Sequence, residues 1–214
     1  MRKLIFLLLI SVGRDGAAQA LSVRDSLRLW FSAKPSLNMS LDGRSSFIGT
    51  SPASVLGGRI GLDYGKVGLY GGLYTLRRRI ENLQSRKPGD TVYRRLGMTY
   101  ASATFEYLLH KDPRWQFKIP VQLGLGVATR TLLRDGTPTE TSRVPMVPLE
   151  AQICALYRLT RYLGISGGIG FRMANGGGPS YNGSIYSFGL TLFSGTLYND
   201  LKKYREDGTP LRLF

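Results

Sequence analysis

The chain has 214 residues, a formal net charge of +15 at pH 7 and 27 glycines. A single cysteine excludes a disulfide within the chain, and one cysteine with one histidine cannot make a Cys/His zinc site. Hydrophobic residues make up 43% of the sequence, which argues against intrinsic disorder. The length predicts one domain of ordinary size.

The first twenty residues have the layout of a secretory signal peptide. Arg2 and Lys3 precede an apolar run at residues 4–12, and residues 18–20 (Ala-Gln-Ala) fit the small-x-small cleavage rule. The run is shorter than the ~20 apolar residues that a helix needs to cross a bilayer. We therefore predict export, with a signal peptide at residues 1–20 that is cleaved after residue 20.

Residues 115–128 alternate strictly between apolar and polar or small side chains. From Trp115 to Val127 every odd position is apolar, whereas the even positions hold glutamine, lysine, proline, glycine and alanine. This period of two predicts a strand with one apolar face, longer than the ~5–6 residues typical of soluble strands. The same pattern, with exceptions, predicts seven more strands at residues 27–42, 55–64, 67–76, 93–109, 145–157, 163–173 and 184–193.

The connections between these strands are alternately short and long. Three are tight turns, and four are longer stretches rich in glycine, proline, serine, threonine and charge, at residues 43–54, 77–92, 132–143 and 174–183. An exported chain without a long apolar segment is either soluble or a barrel, because only helices and closed barrels span lipid. The pattern predicts an all-β fold, an eight-stranded antiparallel up-and-down transmembrane β-barrel with short periplasmic turns and longer outer loops, over residues 21–194.

The composition of the two strand faces indicates which one points outward. The less apolar face is mostly glycine, serine, alanine and threonine with charges at intervals, which suits the narrow lumen of eight strands. A face exposed to water would carry more lysine and glutamate. The alternative is a soluble periplasmic lipocalin-like carrier, in which the apolar face would line the interior.

The chain resembles the small eight-stranded outer-membrane β-barrel family, which includes the OmpA transmembrane domain, and the outer-membrane barrel domains of Bacteroidota. The resemblance covers roughly residues 27–194 and is carried by Val147-Pro148-Leu149-Glu150, by the glycine-rich residues 167–172 and by the last strand, residues 186–193. It implies a location in the bacterial outer membrane. We expect a structural or surface-interaction protein that is not an enzyme, needs no cofactor and binds no metal.

Inward-facing charges are expected to pair, because an isolated buried charge costs several kcal/mol. We predict a network that plugs the lumen, formed by Arg28, Lys34, Asp42, Arg59, Asp63, Glu106, Lys118, Arg130, Glu150 and Arg172, with Arg158 as a further member. A proton or ion path through the same residues is the alternative. Outward aromatic residues near the turns predict an interfacial girdle of Tyr64, Tyr107, Trp115, Phe117, Tyr157 and Tyr162.

A basic segment lies in one of the predicted outer loops. Between residues 76 and 96, two acidic residues stand against seven basic ones, Arg77, Arg78, Arg79, Arg86, Lys87, Arg94 and Arg95. Clustered arginine binds phosphate bidentately, so we predict contact with lipopolysaccharide phosphates or another anionic surface partner. A solvated loop is the alternative. No nucleic-acid partner is expected for an exported barrel.

The sequence after the last strand predicts a periplasmic tail at residues 195–214. Leu197, Leu201 and Tyr204 have helical spacing, which predicts a short amphipathic helix that closes the periplasmic mouth or contacts a protein partner. A disordered tail is the alternative. Two other functions stay open: a subunit of an outer-membrane export or transport assembly, and a lipid A-modifying enzyme.

The catalytic patterns in the sequence are weak. Residues 164–168 match G-x-S-x-G, but they fall inside a predicted strand and the only histidine, His110, precedes them. A hydrolase elbow needs a strand, a turn and a helix, with the acid and the histidine after the serine. A lipid A-modifying enzyme would have to use His110.

Overall fold

The computed structural model describes residues 23–48, 51–77, 80–87, 90–135, 137–175 and 181–207, so the predicted signal peptide lies outside the described residues. Within them the elements in chain order are α1 (Val23–Phe31), β1 (Ser36–Ile48), β2 (Ser51–Asp63), β3 (Val67–Leu76), β4 (Ile80–Lys87), β5 (Asp90–Lys111), β6 (Trp115–Arg134), β7 (Thr137–Arg158), β8 (Leu163–Asn175), β9 (Gly183–Leu192) and α2 (Ser194–Asp207).

Eight of the strands form a closed antiparallel ring. β1 pairs with β2 on one side and with β9 on the other, where Met39 lies opposite Leu192. β3 pairs with β5, where Val67 lies opposite Tyr107, and β5 to β9 pair in sequence. The predicted eight-stranded up-and-down barrel is therefore confirmed.

β4 is a strand that the sequence pattern does not predict. It pairs with the first part of β5, whereas β3 pairs with the second part, so β3 and β4 follow one another along the same edge. The basic segment predicted as a loop is consequently an antiparallel hairpin. Its residues lack the apolar alternation that marks the other strands, and cross-strand backbone hydrogen bonds hold it instead.

The barrel has two different ends. At the terminal end lie α1, α2 and three short turns, one of which contains Gly65 with φ of +83° and the Asp63 carboxylate accepting a hydrogen bond from the Gly65 N–H at 2.7 Å. At the hairpin end the predicted loops are largely strand, since β6 and β7 stay paired up to Arg134 opposite Thr137. β5, β6 and β7 have 20 to 22 residues, twice the ~9–11 that cross a bilayer.

The start of the first predicted strand is wrong. Residues 23–31 form helix α1, with Asp25 in its first turn and Arg28 in its last, which complements the helix dipole. Leu27, Leu29 and Phe31 share one parity, but five residues are too few to distinguish a strand from a helix, and Pro35 separates them from β1.

The prediction that Arg28 and Lys34 face the lumen is wrong. Both side chains are exposed, on α1 and in the linker to β1, and so lie outside the lumen to which the alternation assigned them. α1 packs on the barrel exterior, because the rings of Trp30 and Tyr107 lie 5.6 Å apart and those of Phe31 and Tyr64 4.9 Å apart. Neither described helix is long and apolar enough to cross a membrane.

Three tyrosines lie across glycines of neighbouring strands inside the barrel, as three pairs in register: Tyr70 opposite Gly61, Tyr74 opposite Gly57 and Tyr100 opposite Gly126. A methyl group on any of these glycines would collide with the backbone of the neighbouring strand or with its tyrosine. Glycine therefore lets each ring lie flat against the wall, which covers backbone that would otherwise have no side-chain packing.

Candidate functional site

The outer surface of the barrel is apolar. Outward side chains of β1 to β3 and β5 to β9 form what we call the apolar belt, in which Leu73, Leu125 and Phe188 are each about two thirds exposed, at 70%, 67% and 67%. Along β6 these exposed residues alternate with buried ones. An apolar surface of this extent matches lipid, not water. The chain is therefore a transmembrane barrel, and the lipocalin-like alternative is wrong because its apolar face would point inward.

Aromatic residues cluster where the apolar belt meets the terminal end. The ring of Trp115 lies 4.8 Å from that of Tyr157 and 6.1 Å from that of Phe117. Tyr64 and Tyr107 contact α1 on the same exterior. Tyr162, predicted to face outward, is instead buried, with 8% of its surface exposed.

A continuous series of ion-paired side chains, alternately basic and acidic, crosses the lumen. We call it the lumen network, and its members in order of contact are Lys118, Glu106, Arg59, Asp42, Arg44, Glu150 and Arg172. Each carboxylate lies between two cations, so no carboxylate is left without a charged partner. The members come from six strands of the ring, and the network therefore joins opposite walls of the barrel.

The half of the network nearer the terminal end is centred on Glu106. Lys118 Nζ lies 3.2 Å from Glu106 Oε2, and Arg59 contacts the other oxygen of the same carboxylate. Arg59 Nε also lies 3.2 Å from Asp42 Oδ2, while its guanidinium carbon lies 4.9 Å from the centre of the Tyr70 ring. Asp42 therefore links this half to the other.

The half of the network nearer the hairpin end is centred on Glu150, which is fully buried. Arg44 binds one of its oxygens, and Arg172 Nε lies 2.6 Å from the other, which also accepts a hydrogen bond from the Tyr100 hydroxyl at 3.0 Å. Arg44 in turn donates to the hydroxyl of Tyr74 at 2.9 Å. The carboxylate is thus held by two cations and one hydroxyl.

Six of the ten predicted lumen charges lie in this network: Asp42, Arg59, Glu106, Lys118, Glu150 and Arg172. Asp63 is at the terminal end, where it accepts the turn hydrogen bond, and Arg130 lies half-buried on β6 toward the hairpin end. Arg44 is not among the predicted lumen charges because the sequence predicts a loop at residues 43–54, where the structure continues β1 to Ile48. Its parity with Asp42, two positions earlier on the same strand, was the signal that could have identified it.

The rest of the lumen is filled. Between the network and the terminal end is a polar cavity of about 30 Å³, room for roughly one or two water molecules. Toward the hairpin end lies an apolar cluster, the lumen plug, made of Ala53, Val55, Tyr74, Leu76, Leu96, Met98, Tyr100, Ala128, Met146, Ala174 and Tyr181. Within the described residues, an ion that passed the network would next meet this cluster.

Helix α2 is attached to the terminal end by Asp200. Its carboxylate accepts a hydrogen bond from the Tyr162 hydroxyl at 3.1 Å and lies 2.9 Å from Arg161 Nε. Desolvation and the hydrogen bond to Asp200 raise the pKa of Tyr162 above its ordinary value. The helix covers the stretch for which the sequence predicts one, and residues 208–214 lie outside the described residues.

Replacing Asp200 with alanine is expected to release α2 without opening the barrel. Trypsin should then cleave after Lys202 or Lys203 on the order of tenfold faster, because the helix loses an ion pair and a hydrogen bond. The rate of tail loss can be followed by mass spectrometry. Glu206→Ala is the control, since Glu206 makes only an exposed contact of 3.8 Å with Lys202. Equal cleavage of the two variants would contradict the attachment.

The basic segment lies at the hairpin end. Arg77 is exposed after β3, Arg86 and Lys87 belong to β4, and Arg94 and Arg95 belong to β5. Arg78 and Arg79 lie outside the described residues.

The single histidine and the single cysteine lie apart from each other. His110 is exposed at the terminal end, 3.0 Å from Asp112, whereas Cys154 faces the lumen, with Sγ 3.9 Å from Ser187 Oγ. Among the described residues no group of three or more histidine, cysteine, aspartate or glutamate side chains is arranged to hold a metal ion.

Solved structures with a similar course of the chain include three small barrels. Neisserial surface protein A is 12% identical over 74% of this chain and 95% of its own, with a TM-score of 0.46. The N-terminal β-barrel domain of Pseudomonas aeruginosa OprF is 14% identical over 74% and 98%, with a TM-score of 0.47. Ail, the attachment invasion locus protein of Yersinia pestis, in complex with the heparin analogue sucrose octasulfate, is 9% identical over 74% and 96%, with a TM-score of 0.45.

No protein-family model matches the sequence, and no curated protein matches it. The assignment of the fold therefore rests on the strand pairing and on the outward apolar belt.

Proposed function

We propose that this protein is a non-conducting barrel of the bacterial outer membrane with a structural or surface-interaction role. The observation that carries the proposal is the apolar belt around a lumen filled by the lumen network and the lumen plug. Such a barrel offers lipid a continuous apolar surface and offers solutes no wide path. In this proposal the short turns face the periplasm and the hairpin end faces the outside of the cell.

Cell fractionation and gel electrophoresis test the membrane part of this proposal. The expected result is enrichment in the outer membrane and a band that migrates differently with and without boiling, because a closed barrel resists detergent until it is heated. A soluble periplasmic protein without a heat shift would overturn it. In planar bilayers the purified barrel should leave the conductance at background, and stable ionic steps would favour the ion path instead.

The basic segment, which includes the hairpin of β4 and the start of β5, is the proposed contact for an anionic surface partner. β4 and the start of β5 continue past Leu76, where β3 ends, alongside the extended ends of β6 and β7, so in the proposed orientation they would lie outside lipid. Clustered arginine binds phosphate bidentately. Lipopolysaccharide phosphates are the partner of this chemistry at the outer surface.

Serine at five positions of the basic segment is expected to weaken binding to lipid A on the order of tenfold, through loss of charge-assisted hydrogen bonds. The positions are Arg77, Arg78, Arg79, Arg86 and Lys87. Binding can be measured by titrating lipid A into the detergent-solubilised protein. The control is a variant with Lys202 and Lys203, at the opposite end of the barrel, changed to serine. Unchanged binding of lipid A by the five-serine variant would reject the contact.

A role without catalysis fits the geometry. The G-x-S-x-G match at residues 164–168 lies inside β8, which continues as strand to Asn175, so it forms no strand-turn-helix elbow. His110 lies on β5, where it faces Asp112. If the protein were nevertheless a lipid A-modifying enzyme, His110→Ala would abolish its activity.

A subunit of an export or transport assembly is the second candidate. It is favoured by α2, on which Tyr198, Leu201 and Tyr204 are exposed at 68%, 45% and 55%. Exposed apolar side chains that lie close together mark sites of protein interaction. Native electrophoresis of solubilised membranes decides this point, since migration of the barrel at the mass of a single chain would reject the assembly.

A further inference from the structure

A pocket on the outside of the barrel lies directly beyond the apolar belt at the hairpin end. We call it the threonine pocket, and it has a volume of about 480 Å³ on β3, β5, β6 and β7. Its hydroxyls come from Thr75, Thr99, Thr129, Thr131 and Thr141. Volumes of this size are typical of sites for small molecules. The pocket is therefore large enough for a headgroup and not only for a single ion.

Strand parity places these side chains on the lipid side of the wall. Thr75 lies opposite Thr99, and both are exposed while their neighbours in sequence, Tyr74 and Met98, are buried. Leu73, two positions before Thr75 on the same face, belongs to the apolar belt. The pocket thus begins one residue pair beyond the point where lipid contact ends.

The pocket combines hydroxyl groups with guanidinium groups. Thr131 lies opposite Thr141, with their Oγ1 atoms 3.3 Å apart, and Arg143 lies opposite Thr129. Arg143 is exposed, and no carboxylate among the described residues forms an ion pair with it. No acidic side chain belongs to the described lining, to which Arg95 also contributes. The chemistry fits an anion with several oxygen atoms, such as a phosphate.

The floor of the pocket is tied to the interior of the barrel. It contains Gly97, whose missing side chain leaves the wall open next to Thr129. The carbonyl oxygen of Gly97 accepts a hydrogen bond from the hydroxyl of Tyr181, a member of the lumen plug, at 3.3 Å. The backbone under the pocket is thus held from inside, which lowers the entropic cost of binding.

We propose that the threonine pocket binds the phosphorylated sugar headgroup of an outer-leaflet glycolipid, that is, lipid A. The pocket continues from the apolar belt, so acyl chains lying on the belt at Leu73 and Leu125 would bring their own headgroup to the level of Arg143. A free phosphate has no acyl chains and would make no contact with the apolar belt. The inference rests on the proposed outer-membrane location, and the pocket shares Arg95 with the basic segment. The residues changed to test the pocket lie outside that segment.

Native mass spectrometry of the purified, signal-cleaved protein in detergent tests this site, with bisphosphorylated lipid A as the probe. The test variant combines Arg143→Gln with Thr141→Val, which keeps the shape of the threonine. Its affinity for lipid A is expected to fall about tenfold or more through the loss of charge-assisted hydrogen bonds. The control is Arg114→Gln, an exposed arginine at the terminal end, which should bind like the parent protein.

The outcomes separate the two proposals. Equal affinity of the pocket variant and the parent, or an equal loss in Arg114→Gln, overturns the pocket. Equal binding of phosphatidylglycerol overturns lipid A as the occupant, and displacement by inorganic phosphate at millimolar concentration shows a simple anion site instead. The heat shift of each variant is recorded in parallel, because its absence in the parent protein would reject the barrel proposal itself, whatever the lipid result.

Discussion

Replacing Glu150 with glutamine is expected to destabilise the barrel by about 3–5 kcal/mol, because the change leaves Arg44 and Arg172 buried without a carboxylate between them. Glutamine keeps the size of the side chain and the possibility of a hydrogen bond with Tyr100, so the loss of charge is the main effect. The free energy of unfolding in lipid vesicles, measured from urea titrations, should fall by this amount. The band of the folded protein should also disappear at a lower temperature.

Glu140→Gln is the matched control. Glu140 lies exposed on β7 at the hairpin end, so the same chemical change there should alter stability by no more than ~0.5 kcal/mol. A second variant isolates the pairing: Glu150→Gln combined with Arg172→Gln should be more stable than the sum of the two single changes predicts. Additive effects, or equal stability of Glu150→Gln and Glu140→Gln, would mean that the network contributes little.

Alanine at Gly126 is expected to cost about 1–3 kcal/mol or to prevent closure, since the added methyl group collides with the backbone of Thr99 and Tyr100. A shift of Tyr100 would also disturb its hydrogen bond to Glu150 in the lumen network. The yield of heat-resistant folded protein after refolding, followed by urea titration of that fraction, measures the effect.

Gly71→Ala makes the same substitution in a strand but on the outward face. A methyl group there would be 4.0 Å from the carbonyl oxygen of Ser102, which is an ordinary van der Waals contact. Alanine is intrinsically the better residue in a strand, so this variant should equal or slightly exceed the parent in stability. If both alanines were tolerated, the close packing of Tyr100 on Gly126 would not be a requirement of the fold.

The strands were predictable because lipid and lumen impose opposite chemistry on alternate residues, as along Trp115 to Val127. The same parity identified Glu106, Glu150 and Arg172 as inward-facing residues. It could not give the order of contacts in the lumen network, because that order depends on how far the strands are staggered around the ring. A sequence pattern predicts which face of the strand a residue lies on but not its position along the barrel axis.

The misses have equally physical causes. Arg44 lies in a stretch where the outward positions are Gly43 and Ser45, so the apolar half of the alternation disappears although the strand continues. The sequence predicts a strand in place of α1 because Leu27, Leu29 and Phe31 share one parity, and a stretch of five residues is too short to exclude a helix. The threonine pocket had no sequence signal, since its side chains come from four strands and meet only when the ring is closed.

The pairing of β1 with β9 limits the order in which the barrel can assemble. The two strands that close the ring are the first and the last of the barrel, and Ser40 of one lies beside Thr191 of the other, 151 positions later. Before β9 is in place, every intermediate sheet has two edges with unpaired backbone groups, and lipid offers them no hydrogen bonds. The ring can therefore close only after β9, the last strand to be synthesised, has reached β1.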